Sequence, residues 1–138
     1  MKYVLDASVA LKWCLSEANV DNALKLRAEF ETGIHDLAAP DLFPVEIAHA
    51  LSKASRQRRI SDDEAKAHYF NILTTPPRLF PVQRLLDRAF QLSLDLRVPV
   101  YDCLYVALAE ELNCQLVTAD SKAVRTFQGL PVVDLASI

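Results

Sequence analysis

Four carboxylates in this chain stand at positions where acidic side chains could act together. Asp6 and Asp120 each follow a short apolar stretch that is typical of a strand, while Glu46 and Asp102 lie near the starts of two apolar helices. In an open parallel sheet, ligands collect beyond the carboxyl ends of the strands, and helices that begin at that edge can add further side chains. The pattern therefore predicts that these four acids approach one another.

Acids that meet in this way repel one another. Two like charges 4 Å apart cost about 4 kcal/mol at an effective dielectric constant near 20, so a cluster persists only if some acids stay protonated or a cation neutralises them. Oxygen ligands without His or Cys suit Mg²⁺ or Mn²⁺. Such ions keep waters of hydration and bind phosphate, and one of those waters can become the nucleophile at a phosphoryl group.

Each acid also has an ordinary structural explanation. Asp and Glu are favoured at helix N-termini, where they complement the exposed amides and the helix dipole. This explanation fits Glu46, Asp102 and Asp120 taken singly, and it fits Asp6 less well because Ser8 could already cap the following helix.

Apolar periodicity predicts strands and helices that alternate along the chain. Pro81 favours an edge position for its strand, and Ser61 with Glu64 is expected to form a capping box at the start of a helix. Alternation of this kind predicts the α/β class, with a parallel sheet and helices on both faces. The expected strands are 3–5, 37–39, 79–82, 116–118 and 131–133, and the expected helices are 9–13, 19–30, 44–54, 62–73, 85–96, 101–112 and 121–127.

Length and composition set the general class. A chain of 138 residues with 51% apolar and 24% charged residues is expected to be one globular domain, residues 1–138. No apolar run approaches the roughly 20 residues of a membrane span. Asp6 and Lys12 interrupt any signal peptide, so we expect a cytoplasmic protein with no membrane contact. Lys12 lies just past Asp6 and could face the acidic pocket, but a position at the surface is favoured.

Several classes of site are disfavoured. The two glycines stand alone, which argues against a P-loop or a dinucleotide-binding turn. Cys14, Cys103 and Cys114 are odd in number and widely spaced, so we expect reduced thiols that pack rather than disulfides or a zinc site. The net charge of −3 gives no general attraction to nucleic acid.

The ordered set of segments around the four acids resembles a known family. Residues 4–8, 44–51, 101–109 and 116–120, each carrying one acid, together resemble PIN-domain proteins, and in particular the VapC-type toxin ribonucleases of prokaryotic toxin–antitoxin pairs. The resemblance covers essentially the whole chain in length, element order and acid positions. No single segment is specific, but the ordered set is.

The resemblance implies a three-layer α/β/α sandwich and an endoribonuclease that uses Mg²⁺ or Mn²⁺ and a metal-activated water. By position, Asp6, Glu46 and Asp102 would be the principal catalytic metal ligands, and Asp120 would complete the site. Ser8 would orient Asp6, and Thr118 would do the same near Asp120. The resemblance also implies a homodimer, an RNA substrate, and a cognate antitoxin whose tail enters the active-site groove.

Two other groups of residues have open alternatives. The basic residues at the end of the Glu46 helix either contact RNA phosphates or form a solvated helix end whose cations complement the dipole. The aromatic residues either stack bases or complete the core, and core is favoured for Tyr105. The basic residues are Lys53, Arg56, Arg58 and Arg59, and the aromatic ones are Trp13, Phe43, Tyr101 and Tyr105.

Three other functions are possible for a chain with these acids, and each predicts features that differ from those of a toxin ribonuclease. A phosphoryl-accepting α/β domain would need paired acids after the first strand, and Ser8 stands where the second acid would be. A catalytically silent PIN-like module that binds RNA or protein would be expected to lack one of the acids. An RNA-processing enzyme of the same family is the third alternative, and the absence of a recruiting domain makes a toxin the better fit.

Overall fold

The computed structural model describes residues 1–15 and 20–138, and at its centre lies a five-stranded sheet in the order β3-β2-β1-β4-β5. All neighbouring strands are parallel, which confirms the predicted α/β class. The strands are β1 (Lys2–Leu5), β2 (Asp36–Pro40), β3 (Arg78–Phe80), β4 (Gln115–Thr118) and β5 (Val132–Asp134).

The first strand is central because its side chains are apolar on both faces. Tyr3, Val4 and Leu5 are all buried, as expected for a parallel strand covered by helices on both sides. β1 pairs with β2 and with β4, and the register sets Leu5 beside Val117. The ends of β1 and β4 therefore lie side by side.

Helices surround the sheet in two layers. The connections from β1 to β2 and from β2 to β3 lead toward one edge of the sheet. The connections from β3 to β4 and from β4 to β5 lead toward the other edge. Since such crossovers are right-handed, α1 to α4 cover one face and α5 to α7 cover the other. The helices are α1 (Ala7–Leu11), α2 (Val20–Glu31), α3 (Phe43–Arg56), α4 (Asp62–Leu73), α5 (Leu86–Leu96), α6 (Val100–Glu111) and α7 (Ser121–Thr126), with short 3₁₀ turns at Val82–Leu85 and Leu135–Ser137.

Most of the predicted ends of these elements are confirmed within one or two residues. Ser61 and Glu64 form the expected capping box at the start of α4. Pro81 directly follows β3, which is an edge strand. Gly33 has a φ of +79° just after α2, a conformation that favours glycine. The predicted start of that helix at Asn19 lies outside the described residues.

Helix α6 contains the longest run of buried residues in the described part of the chain. Every residue from Cys103 to Ala109 is buried, because α6 packs against β1, β2 and β4 on one side and against α5 on the other. Cys103 is part of this core, and the half-buried Cys14 and Cys114 are free thiols as well, as predicted. No described helix is both long enough and apolar enough to cross a membrane.

Candidate active site

The carboxylate of Asp6 is held by two hydroxyl groups. Ser8 Oγ donates to Asp6 Oδ2 at 2.8 Å, and Thr118 Oγ1 donates to the same oxygen at 2.7 Å. These hydroxyls are in turn fixed by the backbone after β4, because Ala119 N donates to Ser8 Oγ and Asp120 N donates to Thr118 Oγ1, both at 3.1 Å. Asp6 therefore sits where the ends of β1 and β4 are joined by hydrogen bonds.

The expectation that Ser8 caps the first helix was wrong. Asp6, not Ser8, occupies the N-cap position of α1, and within the described residues its side chain makes no capping hydrogen bond. Ser8 lies inside the helix, where its hydroxyl is free to turn back toward Asp6. The Asp6 carboxylate thus accepts hydrogen bonds from groups at the ends of both strands, and the Ala7 amide at the start of α1 also lowers its pKa.

Asp6 keeps a raised pKa in spite of these hydrogen bonds. Burial raises the pKa, the hydrogen bonds from Thr118 and Ser8 lower it, and the charge of Asp120 raises it again. The net direction is upward, so the fold places this carboxylate where a negative charge is costly without a compensating cation.

Glu46 approaches the same place from the first turns of α3. Its side chain is half-buried, and its Oε1 atom is buried without a hydrogen-bond partner among residues 1–15 and 20–138. Burial is the main cause that raises the pKa of Glu46 to about 7, and the charges of Asp6 and Asp102 add to it, while the Tyr105 hydroxyl acts in the opposite direction. Glu46 is therefore an uncompensated acid that faces two others.

Asp102 and Asp120 complete the group and differ in their local interactions. Asp102 lies in the first turn of α6, and as a whole residue it is exposed. Partial desolvation of its carboxyl is the main cause that raises its pKa, and the charges of Asp6 and Asp120 add to it. Asp120 caps α7, because its Oδ1 accepts a hydrogen bond from Lys122 N at 3.0 Å. The cap explanation is thus correct for Asp120, although its charge also acts on Asp6 and Asp102.

The donor chemistry of this acidic edge, made of Asp6, Glu46, Asp102 and Asp120, fits a hard divalent cation. The ligands are carboxylate oxygens, and the buried Oε1 of Glu46 lacks a partner in the described part of the chain. In residues 1–15 and 20–138, no three His, Cys, Asp or Glu side chains are arranged so that they could already hold a metal ion.

The basic residues lie at the other end of the Glu46 helix. Lys53 and Arg56 are in the last turns of α3, Arg58 and Arg59 follow it, and all four are exposed. Ten residues of helix separate Glu46 from Arg56, which corresponds to about 15 Å. Contact between these residues and RNA stays a prediction.

The aromatic and lysine expectations are resolved by burial. Trp13, Phe43 and Tyr105 are core residues, whereas Tyr101 is 63% exposed beside Asp102 and is the one of the four free to stack on a base. Lys12 is 7% exposed, so its predicted place at the surface was wrong.

The Tyr105 hydroxyl, which acts on Glu46, was not predicted from the sequence. Tyr105 lies three residues after Asp102, so both residues are on one face of the same helix, and this spacing was the signal that could have indicated it.

Comparison with known proteins gives relatives over most of the chain. Residues 3–127 match the PIN domain family. The chain is 36% identical over 124 residues to Ribonuclease VapC12 of Mycobacterium tuberculosis. The aligned region covers 89% of this chain and 90% of that relative.

Solved structures show the same fold. PAE2754 from Pyrobaculum aerophilum matches with a TM-score of 0.73 at 24% identity, over 99% of this chain and 85% of that one. A chain of a toxin–antitoxin complex from Klebsiella pneumoniae matches with a TM-score of 0.62 at 13% identity, over 96% and 97% of the two chains. With the family match and the VapC relative, these findings confirm the resemblance: this chain belongs to the PIN-domain family and is of its VapC type.

Proposed function

We propose that this protein is a metal-dependent endoribonuclease and the toxin of a toxin–antitoxin pair. The observation that carries the proposal is the convergence of four acids at the ends of β1 and β4, three of them with raised pKa values caused by burial and by one another. The name of the relative Ribonuclease VapC12 supports RNA as the substrate. A silent binding module does not need such a cluster, and all four acids are present.

In this proposal, Asp6, Glu46 and Asp102 hold Mg²⁺ or Mn²⁺, and Asp120 completes the site while capping α7. The bound ion would supply a Lewis acid for the phosphoryl oxygen and a lowered pKa for coordinated water. The chain itself supplies orientation, because Ser8 and Thr118 both donate to the same oxygen of Asp6.

The proposed partners follow from the relatives. The toxin–antitoxin complex from Klebsiella pneumoniae shares this fold, which supports a cognate antitoxin for this chain as well. We also propose a homodimer that acts on RNA in the cytoplasm.

The direct test is cleavage of a mixed RNA substrate with Mg²⁺ or Mn²⁺, beside the same reaction in EDTA. We expect cleavage that requires the metal and that returns when excess Mn²⁺ is added to the EDTA reaction. Cleavage that continues unchanged in EDTA would exclude a metal-dependent mechanism.

Thr118 offers a test of how Asp6 is held. Thr118→Val removes the hydroxyl but keeps the shape of this fully buried side chain, so Asp6 loses its 2.7 Å hydrogen bond. Loss of a group that orients a metal ligand costs about 10-fold to 100-fold in metal affinity or activity. The cleavage rate should be measured over a range of Mn²⁺ concentrations.

The matched control is Thr118→Ser, which keeps the hydroxyl and should stay within a few-fold of the parent rate. If Thr118→Val is folded and cleaves RNA as the parent does at every Mn²⁺ concentration, the hydroxyl does not orient Asp6 for metal binding.

A further inference from the structure

The side chain of Tyr105 combines a core position with an unexplained polar end. Tyr105 lies on α6, three residues after Asp102, and is only 2% exposed. Its hydroxyl is buried and has no hydrogen-bond partner in the described part of the chain. Because most buried polar atoms in proteins are hydrogen-bonded, such a hydroxyl needs an explanation.

The groups around the hydroxyl are acceptors. Burial is the main cause that raises the pKa of Tyr105, and the charges of Glu46, Asp6 and Asp102 add to it. A tyrosine hydroxyl is protonated at neutral pH in any case and can donate one hydrogen bond. Its strongest electrostatic partner is Glu46, whose Oε1 is the other buried atom in this region without a partner among the described residues. One unpaired donor and one unpaired acceptor thus belong to two side chains that interact at the acidic edge.

We propose that Tyr105 is a positioning residue, whose hydroxyl donates to the Glu46 carboxylate and holds it in the orientation that binds the divalent cation. This inference rests on the proposed metal-dependent function. It gives Glu46 the kind of support that Asp6 receives from Ser8 and Thr118, whose hydroxyls donate to Asp6 Oδ2. Asp6, which follows β1, and Glu46, on α3, would then each be oriented by a buried or half-buried hydroxyl before the cation arrives.

A glutamate needs such support more than an aspartate does. Its side chain has one more rotatable bond, and Glu46 is the acid whose buried oxygen no described residue binds. Other residues that orient metal ligands typically change metal affinity by 10-fold to 100-fold when they are lost. The same range is expected for the Tyr105 hydroxyl.

The test is Tyr105→Phe, which removes the hydroxyl and leaves the ring in the core. The quantities measured are the rise in Tm that Mn²⁺ produces and the Mn²⁺ concentration that gives half of that rise. We expect this concentration to increase about 10-fold, while the rise reached at saturating Mn²⁺ and the Tm in EDTA change little. A purely structural hydroxyl would instead lower the Tm in EDTA and leave the half-saturating concentration unchanged.

Two variants keep the experiment decisive. Tyr3→Phe is the matched control, since Tyr3 is another buried tyrosine, in β1, whose hydroxyl contacts only Met1 Sδ among the described residues, at 3.5 Å; its half-saturating concentration should equal that of the parent. Tyr105→Leu also loses the ring, so its Tm in EDTA falls further, but its Mn²⁺ shift should match that of Tyr105→Phe.

The outcomes separate the inference from the function on which it rests. A parent protein that Mn²⁺ stabilises, with Tyr105→Phe responding at the same concentration, overturns the inference alone. A parent protein that Mn²⁺ does not stabilise overturns both the metal site and the inference.

Discussion

Asp102→Asn should lower the rate of Mn²⁺-dependent RNA cleavage by at least about a thousandfold and leave the fold intact. Loss of a carboxylate that holds a catalytic ion removes several kcal/mol of transition-state stabilisation, and each 1.36 kcal/mol is a factor of ten in rate. The fold should tolerate the change because Asp102 is exposed and, within the described residues, makes no capping hydrogen bond at the start of α6. The measurement is the single-turnover rate on one RNA, with the Tm as the test of folding.

Two further variants show whether the effect belongs to the acidic edge. Asp87→Asn removes an exposed acid from the first turn of α5, so it matches the helix position of Asp102 away from the site and should cleave at the parent rate. Asp120→Asn keeps the cap of α7, because asparagine accepts the same hydrogen bond from Lys122 N. We expect a smaller loss there than in Asp102→Asn, since one Asp120 oxygen is already engaged.

An Asp102→Asn variant that is folded and cleaves RNA within tenfold of the parent would remove Asp102 from the ligand set. Equal losses in Asp102→Asn and Asp87→Asn would show that the effect does not belong to the acidic edge.

The arrangement of strands was predictable because each strand carries its own signal. Val4 and Leu5 form a continuous apolar run that suits a central parallel strand, and Pro81 marks the edge strand because it cannot donate to a ladder. The alternation of helices and strands then leaves few topologies, since crossovers are right-handed. The convergence of Asp6 and Asp120 follows directly from that topology.

Side-chain direction was not predictable in the same way. Ser8 has equally good local uses as a helix cap and as a donor to Asp6, and only the register of β1 against β4, which brings Thr118 and Ala119 beside it, decides between them. Tyr105 is similar, because the same periodic position explains a buried ring whether its hydroxyl points into the core or toward Glu46. Such choices depend on residues distant in sequence, which a one-dimensional pattern does not contain.

The metal-free protein should become less stable as the pH rises from about 5 to about 8. In the folded state, the pKa of Glu46 is about 7, whereas the usual value is 4.5, so between these values the folded protein binds more protons than the unfolded chain. The stability contributed by Glu46 is therefore fully present below pH 4.5 and is lost as the pH rises through 7. A shift of this size corresponds to at most roughly 3 kcal/mol, and solvent screening of the half-buried carboxyl reduces that figure. The raised pKa values of Asp6 and Asp102 act in the same direction.

The measurement is the free energy of unfolding by urea in EDTA at several pH values. Glu46→Gln should lose much of the pH dependence, while Asp21→Asn, an exposed acid in the first turn of α2, should keep it. If the parent and Glu46→Gln show the same dependence, Glu46 is not in a crowded acidic site.

Asp6→Asn should likewise stabilise the metal-free protein at pH 8, because it removes a charge that the other three acids repel. The substitution can keep both hydrogen bonds, since Ser8 and Thr118 donate to a single oxygen of Asp6 and the amide oxygen of asparagine can take that place. Mn²⁺ should then stabilise the parent more than the variant, because a ligand stabilises the folded state only as far as it binds there. If Mn²⁺ stabilises the parent and Asp6→Asn equally, Asp6 does not belong to the ligand set. If Asp6→Asn is less stable than the parent in EDTA, the charge of Asp6 stabilises the fold rather than a bound cation.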